Sequence, residues 1–358
     1  MRPDLQEFIC CPVCGNKLDV QVSDSNGDEI ITGCLACVAC GQQYPIRRRM
    51  PHLYIDDSAW TSKAREAEGW VAYSKKLGNY DQTGVDIDFR VPDFDEEPWI
   101  TVRRHFNAGM ELAAITGAES VLDLGAGRGC AAKQFALKGC RVVAIGVIPD
   151  EQIGLGRAWA VMEQAGVRFE PVIGDNENLP FYPNVFDVVF CAAVLHHTSN
   201  LPRLLENVFR ILKPGGRLVA VNEPYIRPRD DEVKVLQQYA ADELSFGINE
   251  SRPDLVDYLD SLRGAGFDAI DIFPIDTYGQ PDAMVEDWAW HLGAIRPPWR
   301  AWQLRRAPRL AFDVVERWRS RWAVRGRLPE PRSRREAILW AIMVHVMTGV
   351  VISARRMN

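Results

Sequence analysis

Short apolar runs and helical segments alternate through the central part of the chain. Each run has the length of a strand buried on both faces of a parallel sheet. The segments Cys130–Leu137 and Leu204–Leu212 have the spacing of helices. This pattern is typical of an α/β sheet in which helices cover the strands. The predicted strands lie at 121–124, 141–145, 186–192 and 217–221.

The first of these runs, Val121 to Leu124, ends directly in three glycines spaced two apart, Gly125, Gly127 and Gly129. Glycine adopts backbone dihedrals that other residues avoid, and it lets the chain approach a bound molecule closely. The run therefore predicts a strand that stops in a tight turn before a helix, with a nucleotide-like ligand at the turn. A glycine turn alone is weak evidence, because many such turns bind nothing.

An acid two residues before the first glycine, Asp123, makes the pattern more specific. With the glycine spacing it resembles the first motif of class I S-adenosylmethionine-dependent methyltransferases. The resemblance implies that Asp123 contacts the amino group of the cofactor, and that the glycine turn packs against its methionine part. The turn residues implied in cofactor binding are Gly125, Ala126, Gly127 and Gly129.

The second strand, Arg141–Ile145, ends in Gly146. In the methyltransferase pattern this position carries an acid that accepts hydrogen bonds from both ribose hydroxyls, so Gly146 is a departure from the family. Unpaired hydroxyls would weaken cofactor binding by about 1–3 kcal/mol. Asp150, Glu151 or water are the candidates to replace the missing acceptor.

A third and a fourth motif follow in the order that the family has. The run Gly174-Asp-Asn-Glu-Asn-Leu-Pro-Phe181 and the strand Phe186–Ala192 resemble the large methyltransferase group with Gly-Asp-x-Glu-x-Leu-Pro-Phe. The resemblance implies that Asp175 accepts from the adenine amino group, that the amide of Asn176 reaches the ring, and that Ala192 lines the site. It covers about residues 100–225 and implies a Rossmann-like, seven-stranded sheet.

Candidate catalytic residues follow the fourth and fifth strands. His196 and His197 come just after the fourth strand, and Glu223 follows the fifth. Carboxyl ends of strands in open α/β sheets are where ligands bind, so each side chain is a candidate base for an acceptor hydroxyl or amine. The second histidine often only holds the loop in relatives. Related quinone O-methyltransferases have Glu-His here and a possible metal, which leaves a His-His metal site as an alternative.

The amino-terminal segment contains two Cys-x-x-Cys knuckles. Four thiolates at this spacing give zinc a closed tetrahedral site, which is structural because no coordination position stays open. Cys10 and Cys34 lie beside the knuckles, and a Cys34–Cys37 knuckle or redox cysteines are the alternatives. The continuation through Leu53 resembles the zinc ribbon of the small activating subunit of transfer-RNA and protein methyltransferases. The predicted zinc ligands are Cys11, Cys14, Cys37 and Cys40.

The predicted organisation is a zinc ribbon over 1–55, a connecting or lid segment over 56–115, and a methyltransferase domain over 116–358. Asp230–Phe246 is predicted as one amphipathic helix. Strands six and seven are predicted at Gly266–Phe273 and Gly349–Arg355. Between them lies a helical insertion at about 276–347 that holds seven of the eleven tryptophans.

Charge is distributed unevenly along the chain. The net charge is −6, but the part from Ala294 onward has fifteen arginines and four acids, so it carries +11 and the remainder −17. Leu310, Val314, Trp318 and Trp322 recur every four residues with arginines between them, which predicts an Arg/Trp amphipathic helix. This helix either packs on the domain, lies on an anionic membrane surface or binds RNA phosphates.

These observations together predict a cytoplasmic enzyme, with peripheral attachment to the inner face of the membrane as a variant. The start of the chain has no apolar signal core, and the apolar stretch Ala337–Ala354 is too interrupted for a membrane span. We expect methyl transfer from S-adenosylmethionine to an oxygen or nitrogen of a small molecule, such as a saccharide or lipid-linked intermediate. The alternatives are an RNA base methyltransferase and a non-catalytic binding or scaffold protein. The oligomeric state stays open.

Overall fold

The computed structural model describes residues 1–80, 85–227, 230–292, 294, 328–345 and 349–357. The predicted Arg/Trp helix around 310–325 lies outside these residues, as does most of the insertion's arginine excess.

Eleven described strands form one sheet, in the order β1-β2-β3-β4-β7-β6-β5-β8-β9-β11-β10. The first four belong to the predicted zinc ribbon, and the last seven belong to the predicted methyltransferase domain. The strands are β1 (Leu18–Asn26), β2 (Glu29–Cys37), β3 (Gln43–Arg47), β4 (Met50–Leu53), β5 (Ser120–Leu124), β6 (Arg141–Gly146), β7 (Glu170–Gly174), β8 (Phe186–Ala192), β9 (Leu212–Pro224), β10 (Ala269–Pro274) and β11 (Gly349–Arg355).

Strands β5 to β9 pair in parallel, and β11 runs antiparallel between β9 and β10. The first strand of this domain, β5, lies at its centre. From β5 the chain adds β6 and then β7 on one side, and it then returns to the other side of β5 with β8. This reversal leaves a crevice at the carboxyl ends of β5 and β8, where open α/β sheets bind their ligands. The predicted seven-stranded Rossmann-like fold is confirmed.

Helices cover both faces of the domain sheet. Leu204 and Val208 of α6 pack with Leu259 of α9 on one face, and Phe135 of α4 packs with Met162 of α5 on the other. The described helices are α1 (Ser58–Lys76), α2 (Val85–Arg90), α3 (Trp99–Ala113), α4 (Cys130–Leu137), α5 (Ala158–Ala165), α6 (Leu201–Ile211), α7 (Glu232–Tyr239), α8 (Ala241–Ser245), α9 (Leu255–Gly264), α10 (Asp282–His291) and α11 (Arg334–His345).

The single helix predicted over Asp230–Phe246 is wrong, because the structure has two helices there. Helix α7 ends at Tyr239, and Ala240 leaves the helical region with φ −135° before α8 begins. The break turns α8 towards α1. There Asp242 pairs with Lys76 at 2.9 Å, and Glu243 accepts a hydrogen bond from Tyr73 at 2.9 Å.

The zinc ribbon is continuous with the domain sheet. Strand β4 pairs in parallel with β7, with His52 opposite Ile173 and Leu53 opposite Gly174. A Cβ at Gly174 would lie 3.0 Å from the carbonyl oxygen of Leu53, so the two strands meet at a position that favours glycine. Phe8 of the ribbon also stacks on Phe186 of β8 at 5.3 Å. The ribbon therefore shares backbone pairing and core contacts with the domain.

The long apolar stretch from Ala337 is divided between helix α11 and strand β11. Among the described helices, none is both long enough and apolar enough to cross a membrane.

Candidate cofactor and zinc sites

A cavity of about 340 Å³ lies at the carboxyl ends of the central strands. Its floor comes from the glycine turn after β5, the end of β6 and the loops after β7 and β8, and helix α1 forms its roof. The volume falls within the usual range of small-molecule sites. The lining residues are Lys63, Glu66, Trp70, Gly125, Gly127, Gly146, Val147, Ile148, Ile153, Leu155, Asn176, Glu177, Ala193, Val194, His197, Thr198 and Leu204.

The glycine turn has the strained backbone that its sequence indicates. Gly125, Gly127 and Gly129 all have positive φ, at 69°, 52° and 82°. A Cβ on Gly125 would lie 2.6 Å from the side chain of Val194, which no ordinary packing allows. Glycine at 125 therefore permits both the turn and the close approach of the loop after β8.

Asp123 lies beneath this turn and is almost completely buried. Its Oδ2 accepts a hydrogen bond from the amide of Ala132 at 2.8 Å. The N-cap residue of helix α4, Gly129, has no side chain that could accept from the first amides of the helix, so Asp123 satisfies one of them. Burial raises the pKa of Asp123 to about 7.

The structure brings only part of the predicted cofactor set to the cavity wall. Gly125, Gly127, Gly146 and Asn176 line the cavity, and Ala193 lines it in place of its predicted neighbour. The predicted residues outside the wall are Asp123, Ala126, Gly129, Asp175 and Ala192.

Asn176 carries an unsatisfied polar atom. Its Oδ1 is buried and has no hydrogen-bond partner among the described residues. An unpaired buried carbonyl oxygen is costly and rare in native structures, and it calls for a partner such as a ligand donor. The neighbouring Asp175 is already engaged, because its Oδ1 accepts from the amide of Glu177 at 2.9 Å and lies 3.4 Å from Lys63 Nζ.

Gly146 leaves space at the wall where the family pattern has an acid. A Cβ there would meet Leu155 at 3.4 Å, an ordinary contact, so sterics do not demand glycine. The two acidic residues suggested as acceptors in place of the missing acid already have other partners. Asp150 accepts from the amides of Gln152 and Ile153, and Glu151 pairs with Arg48 at 2.5 Å.

Helix α1 supplies cavity residues that the sequence interpretation did not identify. Lys63, Glu66 and Trp70 lie at i, i+3 and i+7 and share one face of the helix. Lys63 Nζ pairs with Glu177 at 2.8 Å, and the Trp70 ring meets the His197 ring edge-on at 5.5 Å. Their helical spacing was the available signal, but it could not show what the face covers.

The three candidate catalytic residues have different positions. His197 lines the cavity, and its Nδ1 lies 2.7 Å from the carbonyl oxygen of Asn249. His196 and Glu223 lie behind the wall, where His196 Nδ1 is 2.9 Å from Glu223 Oε2. Burial, with the neighbouring His196, lowers the pKa of His197 to about 4, so its imidazole is neutral near pH 7.

Glu223 organises the turn that carries both histidines. Its fully buried carboxylate accepts from the amides of Val194 and Leu195 at 2.8 and 3.0 Å, as well as contacting His196. Burial alone would raise the pKa of Glu223. The hydrogen bonds from His196 and the two amides outweigh burial and hold this pKa below its ordinary value.

The same turn gathers a possible metal-ligand set. Donor atoms of His196, His197 and Glu250 lie within 4.8 Å of one another. This proximity is compatible with the alternative His-His metal site, and Glu250 is a member that the sequence did not indicate.

The four knuckle cysteines converge, with every pair of sulfurs within 4.8 Å. Cys11 and Cys40 are 3.6 Å apart, and Cys14 and Cys37 are 3.4 Å apart. Tetrahedral zinc with four sulfurs at about 2.3 Å needs separations of about 3.8 Å, so the set fits the ion. The predicted structural zinc site is therefore supported by its donors.

The strand order, the antiparallel last strand and the glycine turn at the central crevice define the class I methyltransferase fold. Residues 122–220 match the family described as "Methyltransferase domain", and residues 2–48 match the family "Trm112p-like protein". The chain thus contains a methyltransferase domain and a Trm112p-like zinc ribbon. Both family resemblances are confirmed.

Curated relatives match the methyltransferase part. The demethylmenaquinone methyltransferase of Tropheryma whipplei is 31% identical over 142 residues, covering 39% of this chain and 52% of the relative. The sterol 24-C-methyltransferase of Eremothecium gossypii is 28% identical over 193 residues, covering 49% and 51%. The chain thus spans about half the length of these relatives.

Two solved structures are similar to this chain at low identity. A phosphoethanolamine N-methyltransferase 2 of Haemonchus contortus with S-adenosyl-L-methionine is 16% identical with a TM-score of 0.48, covering 80% of this chain and 60% of that chain. A complex of the Trm112 methyltransferase activator of Haloferax volcanii with a methyltransferase is 19% identical with a TM-score of 0.42, covering 72% and 92%.

Glu223→Gln should destabilise the protein by about 1–3 kcal/mol at pH 7. The carboxylate accepts hydrogen bonds from backbone amides, whereas glutamine would place an N–H group against some of these donors. A carboxylate with a depressed native pKa stabilises the fold above its unfolded pKa of about 4.3, and this stabilisation is lost as pH falls through the native pKa. In urea unfolding, the difference between the two proteins should therefore stay constant from pH 7 to about pH 5 and shrink as the pH falls below about 4.3. The exposed Glu206→Gln on α6 is the control. An equal effect of both variants would contradict the role of Glu223.

Replacing a knuckle cysteine should release the zinc, because three thiolates hold the ion far less tightly than four. We expect Cys11→Ser or Cys40→Ser to lower the zinc-to-protein ratio from about one, measured by atomic absorption after dialysis. Cys34→Ser is the matched control, since the Cys34 thiol lies outside the four-cysteine cluster and donates a hydrogen bond to the carbonyl oxygen of Leu35 at 3.7 Å. Zinc loss from Cys34→Ser would assign the ligands differently.

Proposed function

We propose that this protein is an S-adenosylmethionine-dependent methyltransferase that acts on a small molecule. The observation that carries the proposal is the cavity at the switch point of a methyltransferase-type sheet, with the buried, unpaired Oδ1 of Asn176 in its wall. An amino group of a nucleoside base is the kind of donor that this oxygen lacks. The cofactor would supply an activated methyl group on a sulfonium.

The cofactor would be held by residues that sequence and geometry indicate together. Gly125 and Gly127 admit a ligand close to the backbone, and Asn176 offers an acceptor. We assign Asp123 and Asp175 to the support of the glycine turn and the Asp175–Glu177 loop, since both are buried and hydrogen-bonded to neighbouring amides. Ala126, Gly129 and Ala192 belong to the same turn and strand ends without lining the cavity.

Methyl transfer from a sulfonium mainly requires alignment and exclusion of water, because the donor is already activated. Helix α1 covers the cavity and the apolar residues Val147, Val194 and Leu204 line it, which supports such a role. His197 lies at the wall, so among the three candidate side chains its imidazole is the one placed to meet a hydroxyl or amine acceptor. Its lowered pKa of about 4 leaves it unprotonated near pH 7 but makes it a weaker base than a free imidazole. His196 and Glu223 would hold this turn in position.

The names of the curated relatives bear on the identity of the methyl acceptor. The curated relatives are named for demethylmenaquinone and for carbon 24 of a sterol, which supports a small apolar acceptor and adds carbon to oxygen and nitrogen as acceptor atoms. A saccharide or lipid-linked intermediate remains a prediction. A role in RNA base methylation, or on the inner face of the membrane, depends on the Arg/Trp segment outside the described residues.

Calorimetric titration of the zinc-loaded protein tests the proposal. We expect S-adenosylmethionine and S-adenosylhomocysteine to bind with micromolar affinity, and Asn176→Ala to weaken binding by about tenfold through loss of one buried hydrogen bond. The exposed Asn107→Ala on α3 is the matched control. Absence of binding at millimolar cofactor would refute the enzyme and favour the scaffold alternative.

A further inference from the structure

One acidic residue in the wall of the cavity has no ion-pair partner among the described residues. Its charged lining residues are Lys63, Glu66 and Glu177. Lys63 is only 13% exposed and already serves two acids, Glu177 at 2.8 Å and Asp175 at 3.4 Å. None of the ion pairs between described residues includes Glu66. The opposite charges of Lys63 and Glu177 cancel, so an ionised Glu66 gives the cavity wall a net negative charge.

The surroundings of Glu66 come from several elements. The backbone of Asn249 and the side chain of Trp70 favour the ionised form of its carboxylate. The charged groups that act on it are Lys63 on its own helix and Glu250. The other titratable side chains that line the same cavity are Glu177 and His197. Burial raises the pKa of Glu66 to about 7, against the opposing effect of Lys63. His197 adds no positive charge at neutral pH, since its pKa is about 4.

We propose that Glu66 makes this cavity selective for a positively charged occupant, and that it discriminates the sulfonium cofactor from the uncharged thioether product. The inference rests on the proposed function. S-adenosylmethionine and S-adenosylhomocysteine differ by one methyl group and one positive charge. A carboxylate in a desolvated wall attracts the sulfonium, whereas the thioether gains nothing from it. Loss of the methyl group therefore removes an attraction, which favours product release.

The test measures the ratio of the two dissociation constants by calorimetry at pH 6 and pH 8. Contacts that both ligands make contribute equally to the two dissociation constants, so their effect cancels in the ratio. We expect the unmodified protein to favour S-adenosylmethionine by about tenfold at pH 8, and less at pH 6 because protonation removes the charge of Glu66. Glu66→Gln should bring the ratio to about one at both pH values.

Glu68→Gln is the matched control, because Glu68 lies on the same helix but lines a separate cavity of about 570 Å³. It should keep the ratio and the pH dependence of the unmodified protein. The pH titration of the unmodified protein also tests the inference without any variant. A ratio that is independent of pH, or unchanged in Glu66→Gln, would overturn the role of Glu66. Failure of both ligands to bind the unmodified protein would overturn the proposed function as well.

Discussion

The parallel pairing of β4 with β7 is the constraint on which the site depends. It joins the zinc ribbon to the edge of the domain sheet through His52 with Ile173 and Leu53 with Gly174. Both strands lead directly to the cavity. β7 continues into the loop that carries Asn176, and β4 continues into helix α1, which forms the roof. The ribbon thereby extends a sheet whose adjoining segments form two walls of the cavity.

Helix α1 reaches its place over the cavity through contacts at both ends. Its first half is tied to the loop after β7 by Lys63. Its second half packs closely on α8, where a Cβ at Gly69 would lie only 2.2 Å from the carbonyl oxygen of Phe246. A larger residue at position 69 would push the roof away from the cavity. The position of Glu66 is therefore set by the ribbon before α1 and by the segment around residues 242–250.

Sequence patterns predicted the elements whose signal is local. Residues within a few positions of one another define the apolar strands, the turn with three glycines and the Cys-x-x-Cys knuckles. Glu66 was missed because it comes from a helix about sixty residues before the glycine turn, and no local pattern shows which cavity a helix face will cover. Glu223 was predicted at the pocket, but its side chain satisfies three neighbouring amides from behind the wall. Asp230–Phe246 has helical spacing throughout, but the backbone leaves the helical region at Ala240.

The most direct test of this account is a titration with S-adenosylhomocysteine before and after removal of zinc with a chelator, followed by zinc restoration. Because the ribbon strand and the cavity roof are continuous, we expect zinc removal to abolish or strongly weaken binding, and zinc restoration to recover it. Unchanged affinity in zinc-free protein would contradict the dependence of the cofactor site on the ribbon.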